Sequence, residues 1–434
     1  MNEEKVKSKK SPRTKKEPNQ RLLSISNRYL TDIECINEMV LTVLPILKEK
    51  DEVRTQQVNE ALEILNSTLK KGKKESQQNK NSKEKTINLP ELDYDSLMSN
   101  IVKLSRADQL FRKQCIVSFI SRFDEFIGGF LRIMFKKNPD WLKSNEKTIT
   151  YKELIDLDSI EKAIEGVIIK EVDNILRLSH KEQIDDIDEK LKLGINDTCK
   201  NLLNFYEVTE RRNLFVHTGG VVSNSYVNNC KRMEIVLPEN MEIGKLLQAD
   251  DSYISKAFQI CFELGLKISQ SGYRRLFPES LIEADKGLNH LAIRFLNNGD
   301  FELAKIICEY DINLPAKFRS SDGEMYYFAL INRAIAVKFL GEDFEQGLKE
   351  ICWDAFHPKY KICLHVLRDE FDEAANLMKN KDVIEKITKI GFRTWPVFRE
   401  FRSSTQFIQT YKEIFNEEFI VDPEEDVLNM NLDD

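Results

Sequence analysis

From Arg106 to Lys136, apolar residues recur at Phe111, Cys115, Phe119, Phe123, Phe126, Phe130 and Met134, a step of three or four residues kept up over seven turns. Such a step places all of them along one side of an α-helix. Ile116, Ile120, Ile127 and Leu131 widen the stripe. A helix with so broad an apolar side has to bury it against other helices. The row of phenylalanines therefore reads as core rather than as a platform for stacking bases. Asn138-Pro139 is expected to end the helix, because the residue before a proline is driven out of the α region.

The rest of the chain agrees with a helical fold. Only 16 glycines and 11 prolines occur in 434 residues, too few for the many turns of a large sandwich or barrel. Leu, Ile, Lys and Glu, by contrast, are abundant. The expected class is all-α, a central helical bundle followed by antiparallel helical-hairpin repeats. A net charge of −7 excludes a protein that is basic overall and binds nucleic acid by bulk charge. The charge is uneven, however: the first twenty residues and the 70–85 stretch are rich in lysine, and Pro423 to Asp434 is acidic. A basic arm can contact phosphates, although lysine-rich tails are more often simply solvated. None of the eight cysteines lies in a Cys-x-x-Cys pair, which suits free thiols in a reducing compartment. The N-terminus is charged, and no apolar run approaches the roughly 18 residues of a membrane span. These features lead to the expectation of a cytoplasmic protein with no membrane partner.

Six segments are expected along the chain: a disordered basic tail (1–20), a helical extension of two helices (21–69), a polar linker (70–94), a central helical domain (95–245), a helical-repeat domain (246–416) and an acidic tail (417–434). In the central domain a second long helix should run from a cap at Asn196 or Asp197 to His217 or Thr218, stopped by Gly219-Gly220. A further helix is expected within Val221–Lys231. In the repeat domain three turns look alike, at Gly299-Asp300-Phe301, Glu342-Asp343-Phe344 and Glu370-Phe371, each placing Phe-x-x-(Ala/Gly) at the start of a helix. This resembles the second half of a tetratricopeptide-type repeat, which implies stacked helix pairs with an extended surface. The phenylalanines are 43 and 27 residues apart, not about 34, so generic antiparallel helix pairs fit as well.

The stretch that carries recognisable chemistry is Arg212-Asn213-Leu214-Phe215-Val216-His217, followed by Thr218-Gly219-Gly220. On a helix, Asn213 and His217 are four apart and share a face, and Glu210 lies on it too. Arg212 is five residues before His217 and projects about 140° away. Two arrangements bring an arginine and a histidine together: the long Arg212 side chain curls round the helix, or residues of two copies converge across a two-fold axis. A histidine can take the proton of a ribose 2′-OH or give one to the leaving 5′-oxygen. A guanidinium suits the charge on the phosphate, and Asn213 can orient the imidazole or bind a phosphate oxygen. Glu210 and Arg211 are possible auxiliaries. The attacking hydroxyl restricts this chemistry to RNA, leaves a 2′,3′-cyclic phosphate and calls for neither metal nor cofactor. Arg211, Arg212 and His217 also suit a plain helix C-terminus, where cations meet the negative end of the dipole.

This pattern of arginine, polar residue, three variable residues and histidine, set on a long helix in an all-α region, resembles the HEPN family, many of whose members are ribonucleases. The resemblance covers roughly a third of the chain and rests on one short motif with its helical setting. It implies a helical bundle, a homodimer with both motifs in one cleft, Arg212 and His217 as catalytic residues and Asn213 as their assistant. It further implies RNA as substrate and a toxin or antiviral defence role, held in check by a regulatory protein or trigger bound at the C-terminal repeats. Some members continue the motif with His-x-Tyr; Gly219 stands at that place here. The alternative is a non-catalytic helical scaffold for dimerisation or RNA binding. Cys352, His357, Cys363 and His365 have the residue types of a zinc site, but their spacing matches no common finger and no metal is expected.

Overall fold

Two long helices open the described chain, α1 (Pro18–Gln78) and α2 (Tyr94–Lys137), and the second carries the phenylalanine stripe. The computed structural model describes residues 17–78, 94–142, 159–238 and 241–420. Residues 1–16 and 421–434 of the expected tails, and 79–93 of the expected linker, lie outside these. Among the described residues there are seventeen α-helices, a few 3₁₀ turns and an isolated β-bridge between Val221 and Leu246. The class is all-α. No described helix is long and apolar enough to cross a membrane. The chain divides into two units, Met1–Ser269 and Gln270–Asp434.

In the first unit the α2 stripe is the core. Cys115, Phe119, Phe123, Phe126, Phe130 and Met134 are all buried, as are Ile116, Ile120, Ile127 and Leu131; Phe111 is half-buried. Each such side chain contributes roughly 1.5–3 kcal/mol by leaving water. Helix α1 lies antiparallel on α2, with Ile25 opposite Gly129, Tyr29 stacked on Phe126 at 4.7 Å and Asp32 facing Arg122 at 3.9 Å. The remaining helices are α3 (Ile160–Leu176), α4 (His180–Leu191), α5 (Ile195–Thr198), α6 (Leu202–His217), α7 (Asn224–Arg232) and α8 (Asp251–Leu276). Phe205 of α6 lies 4.7 Å from Phe123, and Phe258 of α8 lies 6.1 Å from Phe119. Tyr29 crosses α8 where Gly265 leaves room for its ring, and its hydroxyl donates to the Cys261 carbonyl at 2.8 Å.

Three expectations for this region change. The 21–69 extension is one helix, not two, and it continues to Gln78 through part of the expected linker. Lys, Glu and Gln are good helix formers without any apolar partner, so a stretch poor in hydrophobics such as 70–78 can still be helical. Pro45 sits inside α1 on an exposed side, where solvent can take the carbonyl that the proline leaves without a donor. The boundary expected at 245/246 falls instead at 269/270, because the first five turns of α8 complete the first unit's core. Helix α4 ends on Lys192, an exposed residue in the left-handed conformation (φ 53°) with no side-chain bond to a described residue. That conformation costs an L-residue about 1–2 kcal/mol, part of which glycine returns as chain entropy. Lys192→Gly should therefore raise stability by roughly 0.5–1 kcal/mol, seen as a Tm increase of about 2 °C.

The second unit explains the three similar turns. Gly299, Gly341 and Asp369 all adopt positive φ (81°, 73° and 61°). In each case the next amide bonds a carbonyl five residues back: Asp300 to Phe295, Glu342 to Val337 and Glu370 to His365, at 2.9, 3.0 and 2.9 Å. The likeness is thus a shared helix C-cap of the Schellman type. Beyond the caps the three segments diverge. The first turn leads into the twelve-residue helix Phe301–Ile312 and the third into the eight-residue helix Phe371–Met378. The second leads only into a 3₁₀ turn, Glu345–Gly347, not the expected helix. Ala304 and Ala374 are fully buried, as close helix crossings require. The unit closes with Thr405–Phe415, capped by Ser404.

Candidate active site

The motif occupies the last turns of α6. The helix starts later than the expected cap, at Leu202 after Asn201. The reason lies in Asp188, whose carboxylate takes the amides of Gly194, Ile195 and Asn196 at 2.7, 3.1 and 3.0 Å and holds α5 as a separate single turn. The end is where the sequence suggested. The Thr218 and Gly220 amides both donate to the Leu214 carbonyl, at 2.9 and 3.0 Å, and Gly219 and Gly220 take φ values of 64° and 99°. A Cβ on Gly220 would lie 2.9 Å from the Leu247 carbonyl oxygen. The glycine thus also lets 244–247 pair alongside: the Leu247 amide donates to Gly220 and the Val222 amide to Lys245, each at 2.9 Å. Val222 then packs with Leu214, Tyr226 and Cys230 under α7.

Most polar groups on this part of α6 are already used. Glu207 accepts from the Arg211 guanidinium at 2.7–2.8 Å, from the Tyr226 hydroxyl at 2.8 Å and from the Tyr253 hydroxyl at 2.7 Å. The Arg211 guanidinium also lies over the Tyr253 ring at 3.9 Å. Burial works against the Arg211 charge, but Tyr253, Glu207 and Tyr226 outweigh it and hold the guanidinium above its ordinary value. Burial, with Glu207 next in effect, pushes the Tyr226 and Tyr253 phenols up. Arg211 therefore fixes the roll of α6 against α7 and α8, and its charge is spent inside the protein. Glu210 accepts from Asn229 of α7 at 2.9 Å.

Of the expected catalytic residues, Arg212 and Asn213 hydrogen-bond to each other, and His217 bonds neither of them. Arg212 is half-buried, and its Nη1 donates to Asn213 Oδ1 at 3.1 Å while its Nε is buried without a hydrogen-bond partner among the described residues. His217 is exposed at the last position of the helix. From Glu207 to Thr218, His217 is the one polar side chain that hydrogen-bonds to no described residue. Val216, Val221 and Leu246 are exposed nearby, by 50, 40 and 46%.

Two features escaped the sequence. Lys113 of α2 donates to the Gly219 carbonyl at 2.6 Å, across 106 positions of chain. His180 faces Asp124 at 3.0 Å near the rings of Phe123 and Phe205. That pair joins α4 to α2 inside the aromatic core; no local spacing announces it. In the second unit three of the four zinc-type residues are otherwise engaged and Cys352 is exposed: His357 accepts from the Lys359 amide, Cys363 donates to the Lys359 carbonyl and His365 pairs with Glu370. No cluster with metal-binding composition occurs among the described residues. In comparisons with known proteins, the chain matches no family model, no curated protein and no solved structure.

Proposed function

We propose that this protein is a metal-independent endoribonuclease whose site is completed by two copies of the Arg212–His217 stretch. The observation that carries this reading is the state of His217, a solvent-facing imidazole that bonds to no described residue, on a helix end that is otherwise pinned. A purely structural histidine at a helix terminus would be expected to cap a carbonyl or pair with a carboxylate. The internal commitment of Arg211 leaves Arg212 as the motif's cation for a phosphate, already oriented by Asn213. Arg212 and His217 are set about 140° apart around α6, and in this reading the arginine serving each histidine comes from a second copy. Val216, Val221 and Leu246 supply an apolar surface beside His217 for that contact. His217 takes the 2′-OH proton as the oxygen attacks phosphorus. The P–O5′ bond breaks to leave a 2′,3′-cyclic phosphate, a proton passes from the imidazolium to the departing 5′-oxygen, and Arg212 balances the charge that builds on the phosphate. A toxin or defence role, switched by a partner on the second unit, accords with the same reading.

The test is cleavage of a single-stranded RNA in the presence of a chelator, beside the same strand with 2′-deoxy sugars. The expected result is RNA fragments ending in 2′,3′-cyclic phosphate and an intact deoxy strand. Equal cutting of both strands, or cutting only with added divalent metal, rejects the reading. A folded dimer that binds RNA without cutting it favours a scaffold instead.

A further inference from the structure

Lys113 reaches from α2 to the end of the motif helix, where its ammonium bonds the Gly219 carbonyl and lies 5.8 Å from the centre of the Phe215 ring. It lines an open cleft of about 530 Å³ together with Lys48, Arg112, Asp108, Asp250 and Asp251. The other charges there are largely matched. Lys48 pairs with Asp251 at 2.5 Å, and Arg112 pairs with both Asp251 and Asp108. Asp250 accepts the Tyr253 amide at 2.7 Å. Lys113 has no carboxylate partner among the described residues. The cleft thus carries an unmatched cation at its edge, bonded to a carbonyl that lies two positions along the chain from His217. Its volume lies in the range of small-ligand sites.

We propose that Lys113 binds a phosphate of the RNA strand and that the cleft receives the nucleoside beside that phosphate. This rests on the ribonuclease reading of the adjacent motif. An ammonium has three donors, and the Gly219 carbonyl uses one; the others are available to phosphate oxygens. A compact point charge positions a backbone without reading its sequence. Inside the cleft, the carboxylates of Asp108 and Asp250 retain lone pairs for ribose hydroxyls or base N–H groups. Such a contact would set the strand's register so that the next phosphate meets His217.

The experiment measures binding of a fluorescent oligouridylate to the full chain over a range of KCl concentrations, in a His217→Ala background so that the strand survives. Lys113→Met is expected to weaken binding about tenfold and to reduce the salt slope by roughly 0.7, the value for one lost phosphate contact on a single strand. Lys113→Arg should keep both. If Lys113→Met does not fold, Lys113→Gln takes its place, judged by an unchanged melting curve. An unchanged affinity and slope, a loss of affinity with an unchanged slope, or no binding by the protein that keeps Lys113 overturns the proposal. The two readings fail separately. Lys113-dependent binding in a protein that cuts no RNA sinks the ribonuclease and spares the phosphate site. Cleavage that ignores Lys113 does the reverse.

Discussion

Gly265→Ala is expected to cost the first unit about 3 kcal/mol, at the upper end of the usual range for overpacking, and to lower its Tm by roughly 6–12 °C. A Cβ built at that position lies 2.0 Å from Cε1, 2.8 Å from Cδ1 and 2.9 Å from Cζ of Tyr29. The ring cannot swing away. It is fully buried, stacked on Phe126 at 4.7 Å, edge-on to Phe123 at 6.2 Å and tied through its hydroxyl to Cys261. Either α1 or α8 has to move, and the phenol loses its carbonyl when it does. Gly166→Ala in α3 is the control: nothing lies within 4 Å of its Cβ position, and the change should stabilise by about 1 kcal/mol through helix propensity alone. Melting curves of the two variants decide the matter. Adding Tyr29→Leu to Gly265→Ala should recover part of the loss, a non-additivity expected for residues in direct contact. Equal melting of Gly265→Ala and wild type would mean that the two helices do not approach this closely.

His217→Ala should lower RNA cleavage by roughly 10²–10⁴, the range for removing a general acid or base. Arg212→Ala should lower it by about 10²–10³, the range for losing one transition-state charge partner. Both should leave the melting temperature close to that of wild type, since among the described residues His217 is exposed and has no hydrogen-bond partner and Arg212 bonds its neighbour Asn213. The mixture of the two is the sharper measurement. If each site draws its arginine from one copy and its histidine from the other, dimers mixed from the two inactive proteins regain one intact site of two. Equal mixing should then restore about a quarter of wild-type activity. If Arg212 instead curls round its own helix to serve its own histidine, no mixture recovers anything.

What could be read in the sequence was what repeats locally. The α2 stripe, the helix stop at Gly219-Gly220 and the three capping turns all depend on residues within a few positions of one another, and periodicity or turn chemistry exposes them. The rest depends on partners far apart in sequence. The cap expected at Asn196 or Asp197 lost to the Asp188 carboxylate, which claimed the amides of that loop. Arg211, beside Arg212 in the sequence, is withdrawn by Glu207 with Tyr226 and Tyr253. Nothing in the string distinguishes the two arginines. Polarity misled over 70–78, because Lys, Glu and Gln are good helix formers in their own right. The change of pattern near residue 250 was real, but it marks the start of a helix rather than the edge of a unit.

The lock between Tyr29 and Gly265 also orders events during synthesis. Its two residues are separated by more than half the chain, so α1 and α2 can pair early, while the wall that α8 provides must wait for most of the polypeptide to leave the ribosome. Until then one flank of the phenylalanine core lies open and Tyr253 is not yet present to hold Arg211. The motif helix can settle into its final roll only after the chain has passed residue 265. On the ribonuclease reading proposed above, a nascent chain would stay inert toward the RNA that surrounds it until residue 265 has emerged.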